Sequence, residues 1–184
     1  MGFAYRITEQ QGLYFVTATV HQWVDVFTRP IYTDILLDSI RFAQNNRGLK
    51  VYGWVIMSNH FHAIFSCGAD FKLSNVLRDM KKFTSTQITD AIRDNVQESR
   101  RSWLLWLLRN EKGTGTKFWE EGNHPEEIWS QKFFMQKIEY IHNNPVRAGL
   151  VRKPEDYRYS SAYDFISDVP PLLELSAYDG HFRS

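Results

Sequence analysis

Residues 51 to 66 read VYGWVIMSNHFHAIFS, and how this stretch folds decides the architecture of the chain. Val51 to Met57 and His60 to Ser66 are short runs rich in β-branched and aromatic residues, separated only by Ser58 and Asn59. That is the spacing of a tight antiparallel hairpin. Side chains alternate along a strand, so His60 and His62 project from one face with Cα atoms about 6.6 Å apart. Two imidazoles so placed can chelate one cation. Taken alone, the pair is equally compatible with two exposed or hydrogen-bonded histidines.

Working outward, LYFVTATVHQ (Leu13 to Gln22) is expected as a strand with Tyr14, Val16, Ala18 and Val20 on one face. Pro30 opens a helix over 31–46, where Ile31, Ile35, Ile40 and Phe42 recur at roughly helical intervals and Asn45, Asn46 and Gly48 supply the stop. After the hairpin, 72–95 places Leu73, Val76, Leu77, Met80, Phe83, Ile88 and Ile92 at helical spacing, and 99–108 is a second helical stretch containing Trp103, Leu104 and Trp106. EKGTGTK at 111–117 reads as a loop, and KFWEEGNHPEEIWS as an extended segment and a turn. A last helix over 130–143 is expected to end at Asn143, Asn144 and Pro145, because the residue before a proline is pushed out of the helical region. The order implies an α+β fold, an antiparallel sheet with helices packed on one face.

A chain of 184 residues, 43% of them hydrophobic, is enough for one compact domain, taken as 1–165, with Pro170 and Pro171 opening a C-terminal tail over 166–184. Lys and Arg number 22 against 21 Asp and Glu, so the totals indicate neither disorder nor a strongly basic nucleic-acid protein. Charge is nonetheless uneven: 72–117 holds ten Lys or Arg against five Asp or Glu, which permits a basic face. No apolar run approaches the ~20 residues of a membrane span, and MGFAYRITEQ lacks a charged region followed by an apolar one, so a cytoplasmic protein without a membrane partner is expected. Cys67 is the sole cysteine and offers neither a disulfide framework nor a CxxC motif. A GxxxxGK[ST] phosphate loop is absent from the sequence, and no nucleotide cofactor is expected.

A second element is EYIHNNPVRAGLV, residues 139–151, in which Tyr140 and Asn144 stand four apart and share one side of a helix. By themselves they read more readily as a packed aromatic and a turn residue. With the histidines they say more. MSNHFHAIF resembles the HUH motif (histidine, hydrophobic, histidine) of the single-tyrosine transposases, and EYIHNNPVRAGLV followed by RYSSAYDF resembles the C-terminal signature of the REP-associated tyrosine transposases. The likeness runs from about Tyr5 to Phe165 and includes KKFT at 81–84 and FWEEGNHPEEI at 118–128.

The resemblance implies a ferredoxin-like (RRM-like) HUH endonuclease fold and a metal-dependent cut-and-rejoin reaction on single-stranded or hairpin DNA. It assigns the nucleophile to Tyr140 and the ligands of a divalent ion to His60, His62 and Asn144, a nitrogen and oxygen set that suits magnesium or manganese. The product of cleavage would be a 5′-phosphotyrosine and a free 3′-hydroxyl. Arg78, Lys81, Lys82, Arg147, Arg152 and Lys153 are candidates for phosphate contacts, and Trp54, Trp119, Trp129, Tyr157 and Tyr159 for base stacking. A homodimer is compatible with the resemblance, since the tyrosine helix can serve its own subunit or a partner's. Two other readings compete. A zinc hydrolase using His60, His62 and Cys67 fails on parity, because Cys67 is an odd number of residues from His62. A catalytically inactive single-stranded nucleic-acid-binding module predicts a missing ligand or nucleophile, yet all four residues are present.

Overall fold

The computed structural model describes residues 7–110, 112–121, 125–165 and 169–178. The hairpin forms as its sequence implies: β2 (Leu49–Ile56) and β3 (His60–Cys67) pair antiparallel, and the Met57 N–H donates to the His60 carbonyl across the Ser58–Asn59 turn at 2.8 Å. β1 (Tyr14–Thr19) pairs with the other edge of β3, setting Thr17 opposite His62 and Thr19 opposite His60. β4 (Glu126–Glu127) adds to β1 and completes an antiparallel sheet of order β2-β3-β1-β4.

Alternation along the strands sorts the side chains into two cores. Tyr14, Val16 and Ala18, Trp54 and Ile56, and Phe61, Ala63 and Phe65 face α1 (Pro30–Arg47) and α2 (Leu73–Asp94). Phe15, Val55 and Ile64 turn the other way and pack with Phe134 and Ile141 of α4 (Gln131–Arg147). The α+β class is the expected one, and α1 and α2 are its one-face helical layer; α4 lies across the opposite face. Gly53 allows that approach, because a Cβ there would meet Ile138 Cδ1 at 2.5 Å.

Two helices differ from their sequence patterns. In α1 the buried stripe is Tyr32, Leu36, Leu37, Ile40 and Ala43, while Ile31 and Phe42 stay exposed, because the larger apolar stripe takes the core side. α4 does not stop at Asn143 but runs through Pro145 to Arg147. A proline so near the end sacrifices only one intrahelical bond, its ring is buried, and the Ala148 and Leu150 N–H groups close the terminus on the Asn144 and Pro145 carbonyls. At the other end Ser130 Oγ caps the helix by accepting from the Phe133 N–H. Between α2 and α4, α3 (Arg101–Leu107) buries Leu104 and leaves Trp103 and Trp106 outside.

The chain after α4 folds back over the free edge of β2, where the Ile56 N–H donates to the Tyr159 carbonyl and the Ser161 N–H to the Trp54 carbonyl. The segment expected as a tail is packed on the domain where it is described: Leu173 is 1% exposed in the main core, Arg41 Nε donates to the Leu172 carbonyl, and the Ser176 N–H donates to the Val51 carbonyl. Its apolar residues complete the core and cover an edge that would otherwise be open to pairing.

One connection is strained. After β1, Gln22 and Trp23 both have positive φ, 56° and 57°, a region that costs a non-glycine residue roughly 1–2 kcal/mol. Val20, Val24 and Val26 are buried on either side and hold the segment in place. Among the described residues no helix is long and apolar enough to cross a membrane.

Candidate active site

β3 sets His60 and His62 on the face turned toward α4, and β1 supplies their neighbours. His62 is 6% exposed, stacks on Phe15 with ring centroids 5.3 Å apart, and shares a 2.7 Å hydrogen bond between its Nδ1 and Thr17 Oγ1. Register alone chose that partner, since Thr17 lies directly across from His62. Burial, with help from electrostatic coupling to His60 and from the Lys137 ammonium, holds the His62 imidazole at a pKa of about 3, so it is neutral at physiological pH. Burial lowers His60 as well.

The His60 ring is oriented by the turn. Asn59 Nδ2 donates to the Trp23 carbonyl at 3.1 Å and to Asp25 Oδ1 at 3.0 Å, which leaves Asn59 Oδ1 as acceptor for His60 Nδ1 at 2.7 Å. His60 therefore carries its proton on Nδ1. In both rings Nδ1 is engaged and Nε2 is the nitrogen left for a ligand. The ring centroids are 4.8 Å apart at 70°. Two imidazoles bound at right angles to one ion through bonds of about 2.1 Å would have centroids about 4.5 Å apart, a separation close to the one here.

Tyr140 reaches this pair from α4. Its ring meets His62 edge to face at 5.2 Å and Phe15 at 5.8 Å, within one chain, and it is 37% exposed. Arg147 stands over the Tyr140 ring with Cζ 5.5 Å from the centroid, a position it owes to the continuation of α4 past Pro145. Asn144 is half-buried, one turn beyond Tyr140 on the same side of the helix. Lys137, one turn before, lies 4.3 Å from the Phe15 ring centroid and pairs with Glu126 of β4 at 2.8 Å. His142 turns away from the site: its Nε2 is 2.9 Å from Ser161 Oγ, which also accepts from the Trp54 N–H, so this pair fastens α4 to β2.

Not every candidate joins the site. Arg78 and Lys82 are exposed on α2, in the layer behind the sheet, where Arg78 pairs with Asp79 and lines a cleft of about 840 Å³ against Phe42 and Phe83. Lys81 is half-buried over Trp119 and donates to the Glu120 carbonyl; burial holds its pKa at about 8. Arg152 and Lys153 are exposed just after α4. Trp54 and Trp119 are core residues at 1% and 7% exposure, leaving Trp129 as the exposed tryptophan of those named. Cys67 is buried on the opposite face of β3 from His62, as parity requires. His21 pairs with Glu120 at 2.8 Å; His124 lies outside the described residues. Thr17, Phe15 and Lys137 escaped the sequence reading. Lys137 had a signal in its spacing of three from Tyr140, whereas Thr17 and Phe15 needed the strand register.

Comparison with known proteins bears on the same region. A family model described as "Transposase IS200 like" matches residues 11–109, just over half of the chain, including β1, the hairpin and both histidines but not α4. A solved structure described as the REP-associated tyrosine transposase bound to a REP hairpin superimposes with a TM-score of 0.66 at 19% identity, covering 100% of this chain and 99% of that one. Its likeness is one of fold, and it extends over α4. A search of curated proteins finds no match. With the histidine hairpin on the sheet and the matched segment spanning it, the chain belongs to the IS200-like transposases, a family of DNA-processing enzymes.

Proposed function

We propose that this protein is a single-strand DNA endonuclease and strand transferase that acts through a 5′-phosphotyrosine at Tyr140, on DNA with hairpin or palindromic ends. The observation that carries the reading is the contact of the Tyr140 ring with His62, one of two imidazoles whose spacing suits a shared cation. Tyr140 Oη attacks the phosphorus, the bond to the 3′ oxygen breaks, and that oxygen leaves as a hydroxyl; the phenol loses the proton that the leaving group gains. Attack by a 3′-hydroxyl on the phosphotyrosine reverses the step, so rejoining needs no nucleotide. His60, His62 and Asn144 would hold a divalent ion, magnesium or manganese, which supplies Lewis-acid polarisation of the phosphate. Asn59 fixes the His60 imidazole in its ligand-ready tautomer, Thr17 anchors the His62 ring through Nδ1 so that Nε2 is the nitrogen turned to a ligand, and Arg147 places a cation over the nucleophile's ring. Hairpin DNA is proposed from the likeness of fold to a transposase that was solved with one.

The test is covalent capture. Single-stranded oligonucleotides ending in imperfect palindromes, incubated with manganese and the protein, are expected to give SDS-resistant adducts that Tyr140→Phe abolishes while DNA binding stays within a few fold. Adducts formed by the variant would remove Tyr140 from the role. Binding without adducts in the wild type would favour the inactive module.

A further inference from the structure

Trp23 is exposed by 63%, yet its ring lies edge-on to His60 with centroids 5.9 Å apart. The segment that carries it is not loose. Gln22 donates its N–H to Glu120 Oε1 at 2.8 Å, the Trp23 N–H reaches the Val20 carbonyl at 3.0 Å, and the Trp23 carbonyl accepts from Asn59, the residue that orients His60. Both Gln22 and Trp23 sit at positive φ, a conformation that glycine or asparagine would adopt more cheaply. A lone exposed aromatic is ordinary. One held out by a strained, hydrogen-bonded strap at the rim of a candidate phosphate site is not, because strain retained beside a site points to function there.

Resting on the transesterase reading, we propose that Trp23 is the stacking platform for the base of a nucleotide adjoining the scissile phosphate of single-stranded DNA. An indole beside a cation-binding imidazole lies within one nucleotide of a phosphate bound there, and base stacking on an aromatic face is tolerant of base identity. The strap fixes the indole in advance, so little ordering remains for the DNA to impose. The Asn59 amide links the two functions, since one side chain orients His60 and holds the backbone of Trp23.

The probe is a fluorescein-labelled 20-nucleotide single strand of thymidines with one 5-iodouracil, used with full-length protein carrying Tyr140→Phe so that binding is read apart from cleavage. Irradiation followed by peptide mapping is expected to place the crosslink on Trp23. Trp23→Ala should weaken binding on the order of ten-fold by anisotropy, with Trp23→Phe retaining most of it. Trp23→Gly relieves the positive φ and should melt no lower than wild type while binding as poorly as Trp23→Ala, which separates loss of stacking from loss of fold. Crosslinks confined to other aromatics, unchanged affinity in Trp23→Ala, or no binding by any form overturns the proposal. A Trp23 crosslink in a protein whose wild type yields no adducts upholds the platform and fails only the transesterase reading.

Discussion

Ser161→Ala removes one buried oxygen that three groups share. Ser161 is fully buried, and its Oγ lies 3.0 Å from the Trp54 N–H, 3.2 Å from the Trp54 carbonyl and 2.9 Å from His142 Nε2. Alanine leaves the Trp54 N–H without its acceptor at a site water does not reach, a loss of about 1–3 kcal/mol. The link to His142 contributes about 0.5–1.5 kcal/mol more. The sum, about 1.5–4.5 kcal/mol, should appear in urea unfolding as a lower midpoint at unchanged slope, or as a fall in Tm of about 3–18 °C for a domain of this size. The position also fastens the tyrosine helix, so adduct yield under conditions where the variant remains folded should fall with no change in DNA affinity. A destabilisation below about 0.5 kcal/mol would refute the reasoning, because it would mean that the edge of β2 finds another acceptor and that α4 does not hang on this serine.

Thr17→Val keeps the shape of β1 but withdraws the Nδ1 partner of His62; manganese affinity by calorimetry should drop about 10–100-fold, and an unchanged value removes Thr17 from the site. Glu98 is buried and bonded to Arg29, Arg100 and Tyr32, with Arg100 foremost in holding its pKa at about 2. Glu98→Gln should therefore cost roughly 3–5 kcal/mol at pH 7 by chemical denaturation. A carboxyl depressed on folding stabilises fully above its unfolded pKa, here near 4.5, and the contribution fades as pH falls toward 2; an acid unfolding curve that Glu98→Gln leaves unmoved would contradict it. Leu173→Ala should lose about 2–5 kcal/mol if the C-terminal segment is part of the core, whereas a detached tail would tolerate it without a measurable shift.

The strands and the histidine pair were legible because a two-residue turn and period-two alternation are local rules. Tyr14, Val16 and Ala18 needed nothing beyond their own spacing. What escaped depended on tertiary context. The apolar residues of α1 form two overlapping stripes, and only the sheet decides that Leu36 and Leu37 go in and Phe42 stays out. Local sterics argue against a helix crossing Asn144 and Pro145, and burial of the proline overrides them. The close approach of α4 to the second face is allowed by Gly53, and a single glycine carries no periodic signal. The pairing of Tyr140 with His62 spans 78 positions, and nothing local specifies it. Trp23 was passed over because an exposed tryptophan in a connection looks like any other until its backbone angles are known.

The wide separation between the two halves of the site has a consequence for how the protein comes into being. Loop-closure entropy favours the β2–β3 hairpin first and β1 soon after, because β1 joins β3 across only 45 positions at Thr17 and His62. The Trp54–Ser161 clasp bridges 107 positions, and we hypothesise that it closes late. A nascent chain would then display its imidazoles before its phenol is in place, and would be unable to break DNA until the last helix has docked. Pulsed hydrogen exchange during refolding should find the amides of β2 and β3 protected ahead of those of α4; simultaneous protection would show that sheet and nucleophile arrive together.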